Sequence, residues 1–472
     1  MFKVKALVIA LAAASIALPA TAQTNADILK ELQSLRARVD QLEAQLKAEQ
    51  EKPKAELSEF NRIAVKTEAL EDAIEAQGLK GFKISGGADP TFIANRAQRT
   101  SSFQFLNNFT NGEVYAFDNS YFGMAWLDLQ KEMDNGTRWR MTLAPHKSSQ
   151  SGYNIGSIIH EASVSIPIDG LQKRLIAGVL PDWSGYEYLL PHQNKFITHN
   201  LLFDFAAPTY YAGIGAEITD GKWIYKGMLG NVNANKYGSG QPAPLLSYRV
   251  DYAKGEFNGF GFAGQHGKIA NATAGGSTML HALEVDGYFV RGPLTAQGQI
   301  GFGQQKAAAF NGGNAQWWGV SGLAAYKLTP RFELMARADY MNNKKNGGGT
   351  YNVYFTGSCF AARDAAGALT VDASGAAIND QTCADGRNGF GPGMAYVTDG
   401  DGNNGQWEVA DANKGSNRFA LSLGMSYLLN QFTTIKAEYR YDASNNRVFQ
   451  YVGDGSYKKS NHTIGLSTVV TF

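Results

Sequence analysis

The chain has 472 residues, of which 53 are glycine, 22 tyrosine and 26 phenylalanine, while only 13 are proline. Glycine and aromatic residues at this level are typical of many short strands rather than of a helical bundle. The 43 basic and 42 acidic residues nearly cancel, which argues against a nucleic acid as partner. The sequence has no apolar run of the roughly 18 residues that a spanning helix needs, which excludes a helical inner-membrane protein but leaves a barrel of weakly amphipathic strands open.

The first 22 residues have the pattern of a secretory signal peptide. Lys3 and Lys5 give a basic start, residues 6–20 form an apolar core, and Ala20-Thr21-Ala22 matches an A-x-A cleavage site. We therefore predict export, with Gln23 as the first residue of the mature chain. Because no cysteine follows the cleavage site, a lipoprotein is not expected.

Residues 23–78 are predicted to form a periplasmic helical segment with a coiled coil at its start. The apolar residues in the first part alternate spacings of four and three, as a and d positions do: Ile28, Leu32, Leu35, Val39, Leu42 and Leu46. Charge pairs such as Arg38 with Glu43 would join neighbouring helices. A helix of about three heptads is marginal alone, so we predict self-association into a homotrimer. The alternative is a single amphipathic helix lying on another surface.

From about residue 79 to the end the apolar period is two, which predicts strands. Seven hairpins have short turns, at 133–136, 169–170, 219–221, 254–255, 291–293, 329–330 and 429–431. The connections between hairpins are long and polar, with the longest at 342–417. This alternation is typical of a transmembrane barrel. Adding strands at 80–85 and 458–472 predicts an antiparallel up-and-down β-barrel of about 16 strands. The number is uncertain by two, because 113–117 and 201–205 also fit strands.

The last strand and its terminal Phe472 favour an outer-membrane barrel over a soluble protein. His462, Ile464 and Leu466 share one face of this strand, while small polar residues occupy the other. In an outer-membrane barrel the last strand closes the cylinder, and its terminal aromatic resembles the signal that the barrel-assembly machinery reads. A frayed strand of a β-sandwich is the alternative.

Several strands carry charges on one face and apolar side chains on the other. Three charges on one strand face are too costly to bury unpaired, but they can line water. The predicted inward, pore-lining residues are Arg138, Arg140, Arg249, Asp251, Glu284, Asp286, Arg337, Asp339, Lys436, Glu438 and Arg440, with Asp128, Glu161 and Glu333 on the same faces.

A signal peptide, a short coiled coil and a barrel ending in phenylalanine together resemble a Gram-negative outer-membrane porin of the phosphate-selective-porin-like type. The runs 178–188 and 198–205 are similar to those of a group of proteobacterial porin-like proteins with β-barrels. The resemblance implies passive diffusion of small hydrophilic solutes or ions through a homotrimer embedded in outer-membrane lipids. The mixed inward charges depart from the many arginines and lysines expected of an anion-selective member.

The connection 181–208 is predicted to fold into the barrel and narrow it. It is rich in aromatic and aliphatic residues, so it must pack against something rather than lie in solvent. Its polar members are expected to face the water path as a constriction: Asp182, Glu187, His192, Lys195, His199 and Asp204. Alternatively, the segment covers the outer rim or serves a subunit interface.

No enzymatic activity, cofactor or metal site is predicted. Residues 259–264 match G-x-G-x-x-G but lack a βαβ context, and the seven histidines show no zinc spacing along the chain. Cys359 and Cys383, the two cysteines of the chain, lie in one outer loop and are predicted to form a disulfide. Residues 399–405 begin like a calcium loop but lack its later ligands. The rival functions are an envelope-tethering barrel and, less favoured, an outer-membrane barrel enzyme.

Overall fold

The computed structural model describes residues 30, 32–44, 62, 65, 66 and most of 80–472. The gaps in that last range are 98, 107–121, 145–157, 209, 233–243, 256, 272–275, 351–389, 399–404 and 452. The signal peptide, the Cys359–Cys383 disulfide, the strand considered at 113–117 and most of the loop 399–405 therefore lie outside the described residues. The chain divides into two units, 1–80 and 81–472.

In the first unit, residues 32–44 form a helix, α1. Leu32, Leu35, Val39 and Leu42 on this helix are each more than half exposed. The apolar stripe of the predicted coiled coil is thus uncovered in the single chain, and the self-association of α1 stays a prediction. None of the helices within the described residues is long and apolar enough to cross a membrane.

The described part of the second unit forms a closed barrel of 16 antiparallel strands. The first two strands each consist of two pieces: β1 is Phe82–Ala88 with Thr91–Asn95, and β2 is Thr100–Gln104 with Ala125–Glu132. The remaining strands are β3 Arg138–Leu143, β4 Ile159–Pro167, β5 Lys173–Pro181, β6 Tyr210–Asp220, β7 Trp223–Val232, β8 Leu245–Gly255, β9 Asn258–Ala270, β10 Ser277–Arg291, β11 Leu294–Gln305, β12 Ala315–Lys327, β13 Phe332–Asn342, β14 Arg418–Asn430, β15 Thr433–Ser444 and β16 Ser460–Thr471.

Each strand pairs with its neighbours in the chain, and β16 closes the barrel by pairing with β1. Both pieces of β1 contribute to this closure, with Ala88 opposite Val470 and Thr91 opposite Ser467. Tight turns join strands at one rim, where Gly136 and Gly221 have the positive φ that such turns require. The up-and-down barrel of about 16 strands predicted from the sequence is confirmed.

One predicted boundary is wrong, and one stretch that also fitted a strand is not a strand. The first strand does not end at residue 85 but continues, after a break at 89–90, to Asn95. The stretch considered as a strand at 201–205 is a helix, α2 (Leu201–Ala206). Asn200 caps this helix by accepting hydrogen bonds from the backbone N–H groups of Leu202 and Phe203. These two donors have no partner within the helix, so the cap stabilises the helical start.

The outer faces of the strands are apolar and exposed, whereas the inner faces carry polar and charged side chains. On β10, Leu283 and Val285 are exposed, while Glu284 and Asp286 between them are buried. On β16, Ile464 and Leu466 are exposed and Ser467 is buried. Two small hairpins lie outside the barrel sheet, Met394–Thr398 with Gly405–Val409 and Phe449–Gln450 with Tyr457–Lys458.

Candidate functional site: an inner loop and the cavity beside it

The connection between β5 and β6, residues 182–208, folds inside the barrel, and we call it the inner loop. It contains a short 3-10 helix, Pro191–Gln193, and the helix α2. Its backbone and side chains form hydrogen bonds and salt bridges with inward-facing residues of strands from β8 to β15. The loop is therefore held across the interior by the wall rather than by its own secondary structure.

Arg337 on β13 is the centre of these contacts. Its guanidinium donates to the Glu187 carboxylate at 2.7 Å and to the backbone oxygens of Thr198 at 2.7 Å and His199 at 3.0 Å. The guanidinium carbon also lies 4.8 Å from the ring centroid of Phe196. The Arg337 side chain is fully buried, so its charge depends on the loop carboxylate and carbonyls to replace water.

On β15, an acidic and a basic side chain hold the same part of the loop. Glu438 accepts hydrogen bonds from the backbone N–H groups of Ile197 and Thr198, both at 2.8 Å. Lys436 donates to the backbone oxygens of Pro191 and Asn194 at 2.7 and 2.6 Å. These charge-assisted bonds satisfy backbone groups that would otherwise be buried without partners.

The start and the middle of the loop are held by further ion-pair residues. Near its start, Arg249 on β8 donates to the Trp183 backbone oxygen and binds the Asp286 carboxylate at 2.6 and 2.9 Å. In its middle, Lys195 of the loop forms a salt bridge with Glu333 on β13 at 2.8 Å. The loop is thus fixed to strands that are far apart around the barrel.

Glycines in the wall leave room for the apolar side chains of the loop. A Cβ atom on Gly424 of β14 would lie 2.8 Å from the Phe196 ring, and one on Gly465 of β16 would lie 3.0 Å from Ile197. At Gly319 of β12, a Cβ atom would lie 3.0 Å from the side chain of Leu202. The wall and the loop are therefore complementary in shape as well as in charge.

Beside the loop lies a cavity of about 730 Å³, whose wall residues come from β1 to β8 and from β10 and β11. Arg140 on β3 lies there between Asp128 at 2.8 Å and Glu161 at 3.1 Å, with its side chain 38% exposed. Half-exposed or exposed aromatic side chains, among them Tyr188, also line this space. The cavity thus has a mixed lining of paired charges and aromatic rings.

Ionisable groups of the loop are shifted by their surroundings. Burial raises the pKa of Asp182 to about 6, although Ser184 and Tyr211 donate hydrogen bonds to its carboxylate. Burial also raises the pKa of Glu187, against the opposing effect of Arg337. The pKa of the His192 imidazole is lowered, first by partial desolvation and then by the charge of Lys436.

The inner loop does not present all its polar residues to open water, as the sequence suggested. Glu187, His199 and Asp204 are buried. His192 is exposed and stacks on Trp126 with ring centroids 5.0 Å apart, while Lys195 is half-buried. The physical reason is that a loop packed inside a barrel must satisfy its polar groups from the wall, so several of the expected water-facing residues became partners of wall charges instead.

The predicted wall residues divide in the same way. Those that the loop covers are Glu284, Asp286, Arg337, Asp339, Lys436, Glu438 and Arg440, all buried. Those that line the cavity are Arg138, Arg140, Arg249 and Asp251, and the buried Asp286 belongs to both groups because it also lines the cavity beside Arg249. Sequence reasoning missed Gln299, which accepts from the side-chain amide of Asn200, and Ser321, which bonds the Tyr186 hydroxyl at 2.6 Å. Both occupy inward-facing positions of their strands, as the predicted charged residues do, and the alternation along each strand could have identified them.

Within the described residues, no group of three or more histidine, cysteine or acidic side chains has a geometry that would hold a metal ion. Fold and site together define a 16-stranded β-barrel whose interior is partly filled by an ordered loop. The chain belongs to the family whose model is described as "Protein of unknown function (DUF3138)", which matches residues 54–243, 256–381 and 370–472. No curated protein matches the chain.

Solved structures of outer-membrane proteins are similar to the chain at low identity. The loop L8 deletion mutant of OmpT from Vibrio cholerae has a TM-score of 0.48 at 10% identity, covering 83% of this chain and 99% of that one. The anion-selective porin from Comamonas acidovorans has a TM-score of 0.47 at 10% identity, with the same coverage. The outer membrane channel DcaP of Acinetobacter baumannii has a TM-score of 0.48 at 10% identity, covering 83% and 97%.

Proposed function

We propose that the protein is an outer-membrane porin that passes small hydrophilic solutes or ions by diffusion along the cavity beside the inner loop. The observation that carries this proposal is a closed barrel with an exposed apolar exterior and a polar interior, in which the inner loop leaves a cavity of about 730 Å³ beside it. An apolar outer face fits a lipid environment, and a polar interior fits water.

The charges in the cavity favour weak rather than strong ion selectivity. Arg140 is paired with Asp128 and Glu161, and Arg249 is paired with Asp251 and Asp286. The cavity lining as a whole contains seven basic and seven acidic residues, so its formal charges cancel. A phosphate-selective pore would need a surplus of free cationic side chains along the path. The resemblance to phosphate-selective-type porins thus extends, in our proposal, to architecture and not to strict anion selectivity.

We further propose a homotrimer supported by α1. The motivation is the stripe of exposed apolar residues on that helix, which a parallel coiled coil would bury. Deleting residues 24–52 should weaken the oligomer in detergent relative to the full-length protein. If native electrophoresis shows the same oligomer after the deletion, the barrel walls alone drive assembly.

The function is tested by planar-bilayer recording of the purified protein. The proposal predicts discrete conductance steps, with a reversal potential near zero in a salt gradient because the pore charges are balanced. If the folded protein leaves bilayers non-conducting, the porin function is wrong. The exposed stripe of α1 would then favour the alternative of a barrel that anchors an envelope tether.

A further inference from the structure

The outer surface of the barrel brings together two histidines that lie 15 residues apart in the chain. His266 on β9 and His281 on β10 are directly opposite in the antiparallel register. Their rings are 5.3 Å apart between centroids, and the side chain of His281 is exposed. His281 shares its strand face with the exposed Leu283 and Val285, so the pair belongs to the outer surface of the barrel.

The separation of the two imidazoles fits a shared metal ion. The Nδ1 atoms of His266 and His281 are 3.1 Å apart. Two nitrogens that each lie about 2.0–2.1 Å from one ion are roughly 2.9 Å apart at a right-angled geometry and roughly 3.4 Å apart at a tetrahedral one. The observed separation lies between these two values, so an ion can replace the proton that the nitrogens now share without moving the strands.

The other ring nitrogen of His266 has a partner that suits metal binding. Its Nε2 atom lies 3.1 Å from the Tyr248 hydroxyl on β8. When Nε2 carries the proton and donates it to Tyr248, the Nδ1 lone pair is free to bind a metal ion. Metal-binding histidines are commonly oriented by such a second hydrogen bond.

We propose that His266 and His281 bind one Cu²⁺, Ni²⁺ or Zn²⁺ ion on the outer face of the barrel. Imidazole ligands select these ions over Ca²⁺ and Mg²⁺, which prefer oxygen. Gln304 on β11 is the cross-strand partner of His281 and places an amide in the same row. His266 and His281 each lie four residues from the strand ends that 271–276 connect, so the pair is near the rim, where water can complete the coordination. Lys268, exposed two residues beyond His266, adds a positive charge that weakens the binding of a cation.

This inference goes beyond the proposed function, since a non-conducting barrel would still carry the pair. The alternative is that the two histidines form a hydrogen bond with each other and bind no metal ion. The two interpretations differ in a measurable way, because a hydrogen-bonded pair without metal affinity leaves Cu²⁺ binding unchanged when either ring is removed.

Calorimetric titration and electron paramagnetic resonance with Cu²⁺, on the tag-free protein in detergent, test the site. The wild type should bind one ion here, with two nitrogen ligands in the spectrum. His281→Ala and His266→Gln should each lower the affinity about tenfold or more and remove one nitrogen. The matched control is His462→Ala, which removes an outer-face histidine bonded to Tyr439 at 2.8 Å and should change neither value.

Heat-modifiable electrophoresis verifies that each variant is folded. Because His266 and His281 are substituted separately, the test remains possible if one of the two variants fails to fold. Absence of Cu²⁺ binding in the wild type would overturn the proposal. So would a His281→Ala protein that binds Cu²⁺ with the wild-type affinity and spectrum, since the ion would then lie elsewhere on the chain.

Discussion

Arg337 on β13 and Arg140 on β3 both project into the barrel and both meet carboxylates, yet they serve different purposes. The Arg337 side chain is 0% exposed, with Glu187 of the inner loop at 2.7 Å and Asp339 of its own strand at 3.4 Å. The Arg140 side chain is 38% exposed, and both of its carboxylate partners belong to the wall. The difference lies in the inner loop, which covers one region of the wall and leaves the other open.

The comparison shows that inward charges of a barrel need not line its pore. A buried ion pair contributes through its partners, because removing one of them leaves an uncompensated charge at a cost of about 3–5 kcal/mol. A solvent-exposed pair contributes only about 0–1 kcal/mol. Arg140 lies between these two cases, because its own side chain is 38% exposed and can act on passing ions while Asp128 and Glu161 are buried. The covered cluster should therefore control stability, and the open cluster should control selectivity.

The largest expected effect is that of Arg337→Ala. The substitution leaves the carboxylates of Glu187, Asp339 and Glu438 buried without their cation, so we expect a loss of roughly 3–5 kcal/mol of stability. Thermal unfolding in detergent measures this loss. The matched control is Arg138→Ala, whose side chain is 56% exposed and should change the stability by less than about 1 kcal/mol. Equal losses in the two variants would contradict the division of the interior.

A smaller loss is expected from Gly424→Ala. The new methyl group would lie 2.8 Å from the Phe196 ring, and Phe196 cannot retreat easily because it is buried beneath Arg337. We expect a destabilisation of about 1–3 kcal/mol. Gly322→Ala on β12 is the control, since a Cβ atom there meets nothing within 4 Å. If the two variants have the same melting temperature, the close contact between wall and loop does not exist in the protein.

In the open cluster, Arg140→Gln should leave the fold intact and change ion selectivity. Asp128 and Glu161 then lose the cation between them, so the cavity becomes more negative. The reversal potential in a KCl gradient should shift towards that of K⁺. Lys173→Gln is the control, because Lys173 forms its salt bridge with Asp169 at the rim, with both side chains exposed, and should give no comparable shift. An unchanged reversal potential would show that Arg140 does not face the ion path.

The smallest expected effect is a pH dependence that comes from Asp182. With its pKa raised to about 6, this carboxyl is charged at pH 8 and neutral at pH 5, so cation preference should decrease as the pH falls through about 6. The folded state also takes up this proton at higher pH than the unfolded chain, so its contribution to stability rises as the pH falls from about 6 to about 4. Asp182→Asn should abolish the step. A step of unchanged size in that variant would assign it to another group.

How far the sequence could predict this molecule depends on how local each signal is. The alternation of apolar and polar residues is a property of each strand alone, so strand number, hairpin order and inward parity could be read directly. The role of an inward residue such as Arg337 could not be read, because it depends on the path of a loop more than 130 residues earlier in the chain. The pair His266 and His281 was missed for a related reason, since strand register creates it and spacing along the chain does not.

The helix α2 shows a further limit. The short pattern of residues 201–205 is compatible with a strand. The features that make it a helix are the capping side chain of Asn200 and the packing of Leu201, Leu202 and Phe205 inside the barrel. Tertiary surroundings thus override a short local pattern. The sequence could predict that this segment must pack against something, but not which strands would receive it.

The most direct test of the account is the single-channel conductance of a protein without the inner loop. Pro181 and Tyr210 are cross-strand partners, so a short glycine-serine turn can replace residues 183–208 while β5 and β6 stay paired. The wall charges that the loop covered would then meet water. We expect a folded barrel with a conductance several times that of the wild type. A folded barrel with unchanged conductance would show that the inner loop does not narrow the pore.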